Sequence, residues 1–145
     1  MKIIIETDKS INETEIHIKC REVDEDLKEI ISSLSLEDFK FAGYINEETF
    51  FIPLNDILYF EAVDSKIFFY TSGKMYESAL KLYKIEETTK NTSFARISKT
   101  TIANLRKMTS IKKAENSRLI ATMISGEKLV VSRQYVSEIK RKLGV

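Results

Sequence analysis

Between residues 41 and 131 the apolar residues come in runs of only a few positions, each closed off by turn-forming residues. Runs this short suit strands, so the stretch reads as mainly β with minor α and leaves little room for long helices. Ile45 and Phe50 flank a hairpin loop, Asn46-Glu47-Glu48-Thr49, and Pro53 ends the strand at 50–54 or confines it to a sheet edge, because proline cannot donate to a ladder. Residues 57–63, 67–71 and 75–78 follow as a three-stranded meander, with turns at Asp64-Ser65-Lys66 and Thr71-Ser72-Gly73-Lys74. Leu82 and Ile85 share one face of a short helix at 80–89. Residues 94–98 read as a strand and 99–104 as a loop or a single helical turn. Strands at 108–114 and 118–124 meet at Glu115-Asn116-Ser117, and 128–131 is the last strand. Ser132 can then cap a terminal helix carrying Val136, Ile139 and Leu143, with Lys140, Arg141 and Lys142 at its C-terminal end and Gly144 just past it.

The first 43 residues read as a small acidic ββα element. Residues 1–6 are β-branched, 14–20 alternate, and Val23, Leu27, Ile30, Ile31 and Leu34 recur as one stripe of a helix with Asp24, Glu25 and Asp26 in its first turn. Residues 36–40 connect it to the β domain, which runs over 44–145. An element of this size buries too little surface to be stable alone, so it is expected to pack on the β domain or to make a homodimer contact. It is also too short for a receiver domain, which needs roughly 100 residues.

The single cysteine, Cys20, rules out a disulfide framework and fits a reducing cytoplasm. No apolar run approaches the ~20 residues that span a bilayer. Glu6 and Asp8 interrupt the N-terminus before a signal-peptide core can form. A cytoplasmic protein without membrane insertion is expected.

The net charge of +1 hides a strong asymmetry. Residues 1–45 carry six Lys/Arg against eleven Asp/Glu, residues 46–90 five against eight, and residues 91–145 twelve against three, giving −5, −3 and +9. A basic third in a neutral chain is the footprint of a nucleic-acid partner, since neutralising phosphates supplies the sequence-independent part of such affinity. A basic surface without a polyanionic partner reads equally well from charge alone.

Catalytic chemistry is hard to assemble. His17 and Cys20 are the only imidazole and thiol. On a strand, Cys20 would share a face with Ile16 and Ile18 as a small buried hydrophobe, while His17 would face solvent with Lys19, so the two could not share a metal. No phosphate-cradling glycine loop, nucleophile elbow or zinc-helix motif is present. The carboxylate clusters Asp24-Glu25-Asp26 and Glu86-Glu87 read as solvated helix faces. No enzyme, cofactor or metal site is expected.

The basic third interleaves its charges with aliphatics, which implies a folded surface. Two of its loops, Ser98-Lys99-Thr100-Thr101 and Ser132-Arg133-Gln134-Tyr135, combine a cation with hydroxyl or amide groups, the set that reads base edges and holds phosphates. The segment Phe94-Ala95-Arg96-Ile97-Ser98-Lys99-Thr100-Thr101-Ile102-Ala103-Asn104-Leu105, followed by Gly126-Glu127-Lys128-Leu129-Val130-Val131-Ser132-Arg133-Gln134-Tyr135, resembles the LytTR family of bacterial DNA-binding domains. Ile57-Leu58-Tyr59-Phe60-Glu61-Ala62 is similar to that family's early strand, and the leader resembles that of stand-alone members without a receiver domain.

The resemblance implies an elongated antiparallel β fold in a transcriptional regulator, one that binds promoter DNA as a duplex through loops entering successive major grooves. The first-loop position often held by His in the family is Ser98, so direct readout there passes to Lys99. Ser98, Lys99, Arg133 and Gln134 are the expected base readers, Arg133 suiting guanine and Gln134 adenine. Arg96, Thr100, Lys112, Lys113 and Arg118 are the expected phosphate contacts. Arg96 could instead pair with an acidic neighbour, and Asn104 is better read as a turn-stabilising residue than as a base reader. Tyr59, Phe60, Phe68, Phe69 and Tyr70 read as core and cross-strand packing rather than as a stacking platform for single strands. The competing function is a protein-interaction or adaptor module whose basic face is incidental.

Overall fold

The computed structural model describes residues 1–35 and 39–145. A seven-stranded antiparallel sheet has the order β2-β1-β5-β4-β3-β7-β6, formed by β1 (Lys40–Ile45), β2 (Glu48–Pro53), β3 (Tyr59–Val63), β4 (Lys66–Thr71), β5 (Lys74–Ser78), β6 (Phe94–Arg96) and β7 (Thr101–Asn104). A second sheet of three strands runs β10-β9-β8, from β8 (Met108–Lys113), β9 (Leu119–Met123) and β10 (Lys128–Val131). Helices α1 (Glu25–Ser35), α2 (Leu82–Thr88) and α3 (Val136–Leu143) complete the chain.

Alternation along the central strands builds two cores. Phe60, Phe69 and Ile102 point to one face of the large sheet, where they pack with Leu82 and Ile85 of α2. Tyr59, Tyr70 and Ala103 point to the other, where they meet Leu119, Ala121 and Met123 of β9, Val131 of β10 and Ile139 of α3. The large sheet is therefore covered by a helix on one side and by the small sheet on the other. Phe60 and Phe69 are fully buried, each contributing about 1.5 to 3 kcal/mol of hydrophobic stabilisation. Gly43 lies where a Cβ would come within 2.5 Å of Phe69 Cζ and 2.8 Å of the Tyr76 Cβ, so this close approach needs a residue without a side chain.

The β1–β2 hairpin turns through Asn46, whose positive φ of 56° suits an asparagine, and β2 with Pro53 lies at the sheet edge as expected. β3, β4 and β5 form the expected meander. Residues 101–104 are a correction: they form β7, paired between β3 and β6 and buried at all four positions. A strand buried on both faces does not alternate, so its sequence carries no period-2 signal. The terminal helix also begins differently. Arg133–Tyr135 form a 3₁₀ turn, and Ser132 caps it with no side-chain bond, its carbonyl accepting from the Tyr135 N–H at 2.9 Å. Gly144 closes α3 in the left-handed conformation, as its position predicted.

The N-terminal element departs further from its expected form. Helix α1 is present, with the Asp24 carboxylate accepting from the Leu27 N–H at 2.8 Å, but neither 1–6 nor 14–20 is a strand. β-branched residues favour extended backbone, yet a strand needs a ladder partner, and the two segments do not pair. Ile3, Ile4 and Ile16 are 76%, 69% and 62% exposed, and the α1 stripe is exposed at Val23, Ile30, Ile31 and Leu34. Cys20 is likewise exposed rather than buried. His17 faces solvent as expected, beside Glu15. The connector at 36–40 lies partly outside the described residues. Among the described residues no helix is long and apolar enough to cross a membrane.

Candidate nucleic-acid interface

Strands β6 and β7 form a hairpin whose tip carries Ile97, Ser98, Lys99 and Thr100. The tip is held closed from inside: the Ile97 N–H donates to the Thr101 carbonyl at 3.0 Å, and the Thr100 N–H donates to Ser98 Oγ at 3.2 Å. It is held from outside by the Ala62 N–H at the end of β3, which donates to the Thr100 carbonyl at 2.8 Å. The second loop follows β10, and the Ser132 N–H donates to the Ile97 carbonyl at 2.8 Å. That bond ties the two loops together.

Ser98, Lys99, Thr100, Ser132, Arg133 and Gln134 consequently line one open depression of about 450 Å³. Lys99, Thr100, Arg133 and Gln134 are exposed there. All four residues expected to read bases, together with Thr100, meet at one place on the surface. Their closeness sets the two loops side by side on that surface, with the bond from Ser132 to Ile97 between them.

The other cations are placed elsewhere. Lys112 and Lys113 are exposed on β8, on opposite faces of the small sheet since Lys112 pairs with Ile120 and Lys113 with the buried Leu119. Arg118 is exposed beyond the turn after β8, and its Nε donates to the Glu115 carbonyl at 3.1 Å. Arg96 is already engaged. Its side chain is 18% exposed, Nε donates to Glu86 Oε2 at 2.5 Å and Nη1 donates to the Lys99 carbonyl at 2.7 Å.

Two further residues frame the site. Asn104 is fully buried, as befits its reading as a turn-stabilising residue: Nδ2 donates to the Ile57 carbonyl at 3.1 Å, and Oδ1 accepts from Ser93 Oγ at 2.7 Å and from the Arg106 N–H at 3.2 Å. The Tyr59 hydroxyl donates to Glu127 in the β9–β10 turn, and its ring stacks on Tyr70 at 4.4 Å. Burial, reinforced by Glu127, keeps the Tyr59 phenol protonated far above its usual range. This contact docks the turn that leads into β10 and the second loop. Glu86 was not legible as part of the site: it stands on α2 among solvated carboxylates, and its pairing with Arg96 depends on tertiary contact between α2 and β6.

Residues 47–144 match the family described as LytTr DNA-binding domain. The sensory transduction protein LytT of Bacillus cereus is 31% identical over 114 residues, covering 79% of this chain and 46% of that protein. This chain thus spans less than half the length of that relative. An HTH-type transcriptional regulator of Staphylococcus aureus strain NCTC 8325 is 26% identical over 138 residues, covering 92% of this chain and 93% of its own length. A LytTr DNA-binding domain from Bacillus cereus has a similar fold, with a TM-score of 0.70 at 22% identity over 74% of this chain and 99% of that domain.

Proposed function

Because the chain belongs to the LytTr DNA-binding domain family, we propose that it is a sequence-specific transcriptional regulator that reads the major groove of duplex DNA through the loops at 98–101 and 132–135. The observation that carries this reading is the meeting of Lys99, Arg133 and Gln134 with three hydroxyl residues in one exposed depression. A guanidinium there can donate two bonds to a guanine and an amide can serve an adenine, while the hydroxyls suit either base edges or phosphate. One protomer addresses one stretch of groove. Thr100, Lys112, Lys113 and Arg118 supply phosphate contacts around it. No catalytic role is assigned, since the lone His17 and Cys20 stand apart on the N-terminal segment. A DNA partner and an unpaired thiol support a cytoplasmic location.

Salt titration tests this reading against an adaptor role. Affinity for duplex DNA should fall with a log-log slope near −0.9 for each phosphate neutralised. Lys112→Ala and Lys113→Ala should each weaken preferred and scrambled duplexes alike and lower the slope by about one unit. A salt-independent interaction, or a base-specific effect of either variant, would contradict the assignment.

The N-terminal residues 1–43 are assigned to self-association with a second copy of the chain. Within one chain Ile3, Ile4, Ile5 and Ile16 are exposed, as are Val23, Ile30 and Leu34 of the helix stripe. Their extended segments have strand-forming composition and, among the described residues, no ladder partner. The Staphylococcus relative aligns over 138 residues, so the similarity reaches into this segment. Two domains joined in this way gain avidity on one operator without new base contacts. Sedimentation should find a dimer at micromolar concentration, and deletion of residues 1–40 should give a monomer with weaker operator binding. A monomeric full-length chain, or a truncation binding as tightly as its parent, would refute self-association.

A further inference from the structure

Arg96 sits beside the proposed reading surface but points its donors inward. Its guanidinium bridges two elements, Nε to Glu86 of α2 and Nη1 to the main-chain carbonyl of Lys99. Only 18% of the side chain is exposed. We propose that Arg96, oriented by Glu86, is a positioning residue that sets the backbone of the first loop and so aims the Lys99 side chain, rather than a phosphate contact. The proposal rests on the duplex-reading role given to Lys99 above.

The geometry makes the assignment specific. Neighbouring carbonyls at the loop tip are pinned from two sides, Lys99 by Arg96 and Thr100 by the Ala62 N–H of β3. With both fixed, the Cα–Cβ bond of the exposed Lys99 leaves the loop in a set direction. Arg96 serves the carboxylate and the carbonyl from two nitrogens fixed in one plane, Nε and Nη1, whereas the ammonium of lysine donates from one freely rotating nitrogen and lacks that geometry. The charge of Glu86 supports the same role. A carboxylate close to a surface that meets phosphates opposes binding by its field, so Glu86 serves there by something other than attraction.

Arg96→Lys and Glu86→Ala test the proposal, with binding measured on the preferred duplex and on a scrambled one. Arg96→Lys keeps the charge and should lose about tenfold or more on the preferred duplex, the loss expected of a charge-assisted hydrogen bond. Its affinity for the scrambled duplex and its salt slope should stay near those of the parent. Glu86→Ala should lose preferred-duplex affinity while binding the scrambled duplex as well or better, opposite to what removing a negative charge alone would do. Amide hydrogen exchange without DNA gives an independent readout, and the Ile97, Ser98 and Thr100 amides should exchange about tenfold faster or more in both variants. Unchanged exchange, or an Arg96→Lys protein that binds both duplexes like the parent or loses equally on both, overturns the positioning role. Faster exchange in a protein whose parent prefers no duplex would keep the positioning role and end the DNA reading instead.

Discussion

Alanine at Lys99 or at Arg133 is expected to cut affinity for the preferred duplex by between about fivefold and a hundredfold, the worth of one paired base contact, and to relax preference at one base position. Both side chains are exposed in the shared depression. Among the described residues neither is paired with a carboxylate, in contrast to Arg96. Removing either therefore takes away a DNA contact while leaving the loop backbone held by the Thr101 carbonyl, Ala62 and Ser132. Circular dichroism and unfolding midpoints should match the parent, and selection from a randomised duplex library should show the degenerate position. Full retention of affinity by both folded variants would remove these loops from the reading surface.

The largest effect on stability is expected at Asn104. Its side chain serves the Ile57 carbonyl, the Ser93 hydroxyl and the Arg106 amide, and it is fully buried where β7 gives way to the 3₁₀ turn at Leu105–Lys107. That turn carries the chain from the large sheet to the small one. Alanine would strand these groups, the Ile57 carbonyl in a buried site and the other two in a part-buried one. Each stranded group costs roughly 1 to 3 kcal/mol, and partial relaxation brings the expected loss to on the order of 3 kcal/mol. Urea unfolding of Asn104→Ala should show a lower midpoint with an unchanged slope. A shift equivalent to less than about 1 kcal/mol would mean that water replaces the amide, and the joint between the sheets would not depend on it.

The parts of this molecule that were legible in its sequence are those set by local pattern. The meander from β3 to β5 follows from alternation that sends Phe60 and Phe69 to one core and Tyr59 and Tyr70 to the other. Helix α1 follows from its apolar stripe and from Asp24 at its start. Strand β7 escaped because both of its faces are buried, so Thr101-Ile102-Ala103-Asn104 has no polar beat. The segments at 1–6 and 14–20 misled in the opposite sense, having the composition of strands but, among the described residues, no partner to complete a ladder. The two loops could be singled out by their cations and hydroxyls, but their meeting depends on the bond between Ser132 and Ile97, which joins residues far apart in the chain. The same holds for Arg96, whose partner Glu86 lies on another element.

Methylation interference on a duplex selected from a randomised library tests the central claim most directly, because N7 of guanine lies in the major groove and N3 of adenine in the minor groove. Loops that read the major groove predict that N7 methylation blocks binding in one compact cluster for each bound protomer, with N3 methylation neutral there. A protein that selects no duplex, or whose binding is blocked only from the minor groove, would contradict the account.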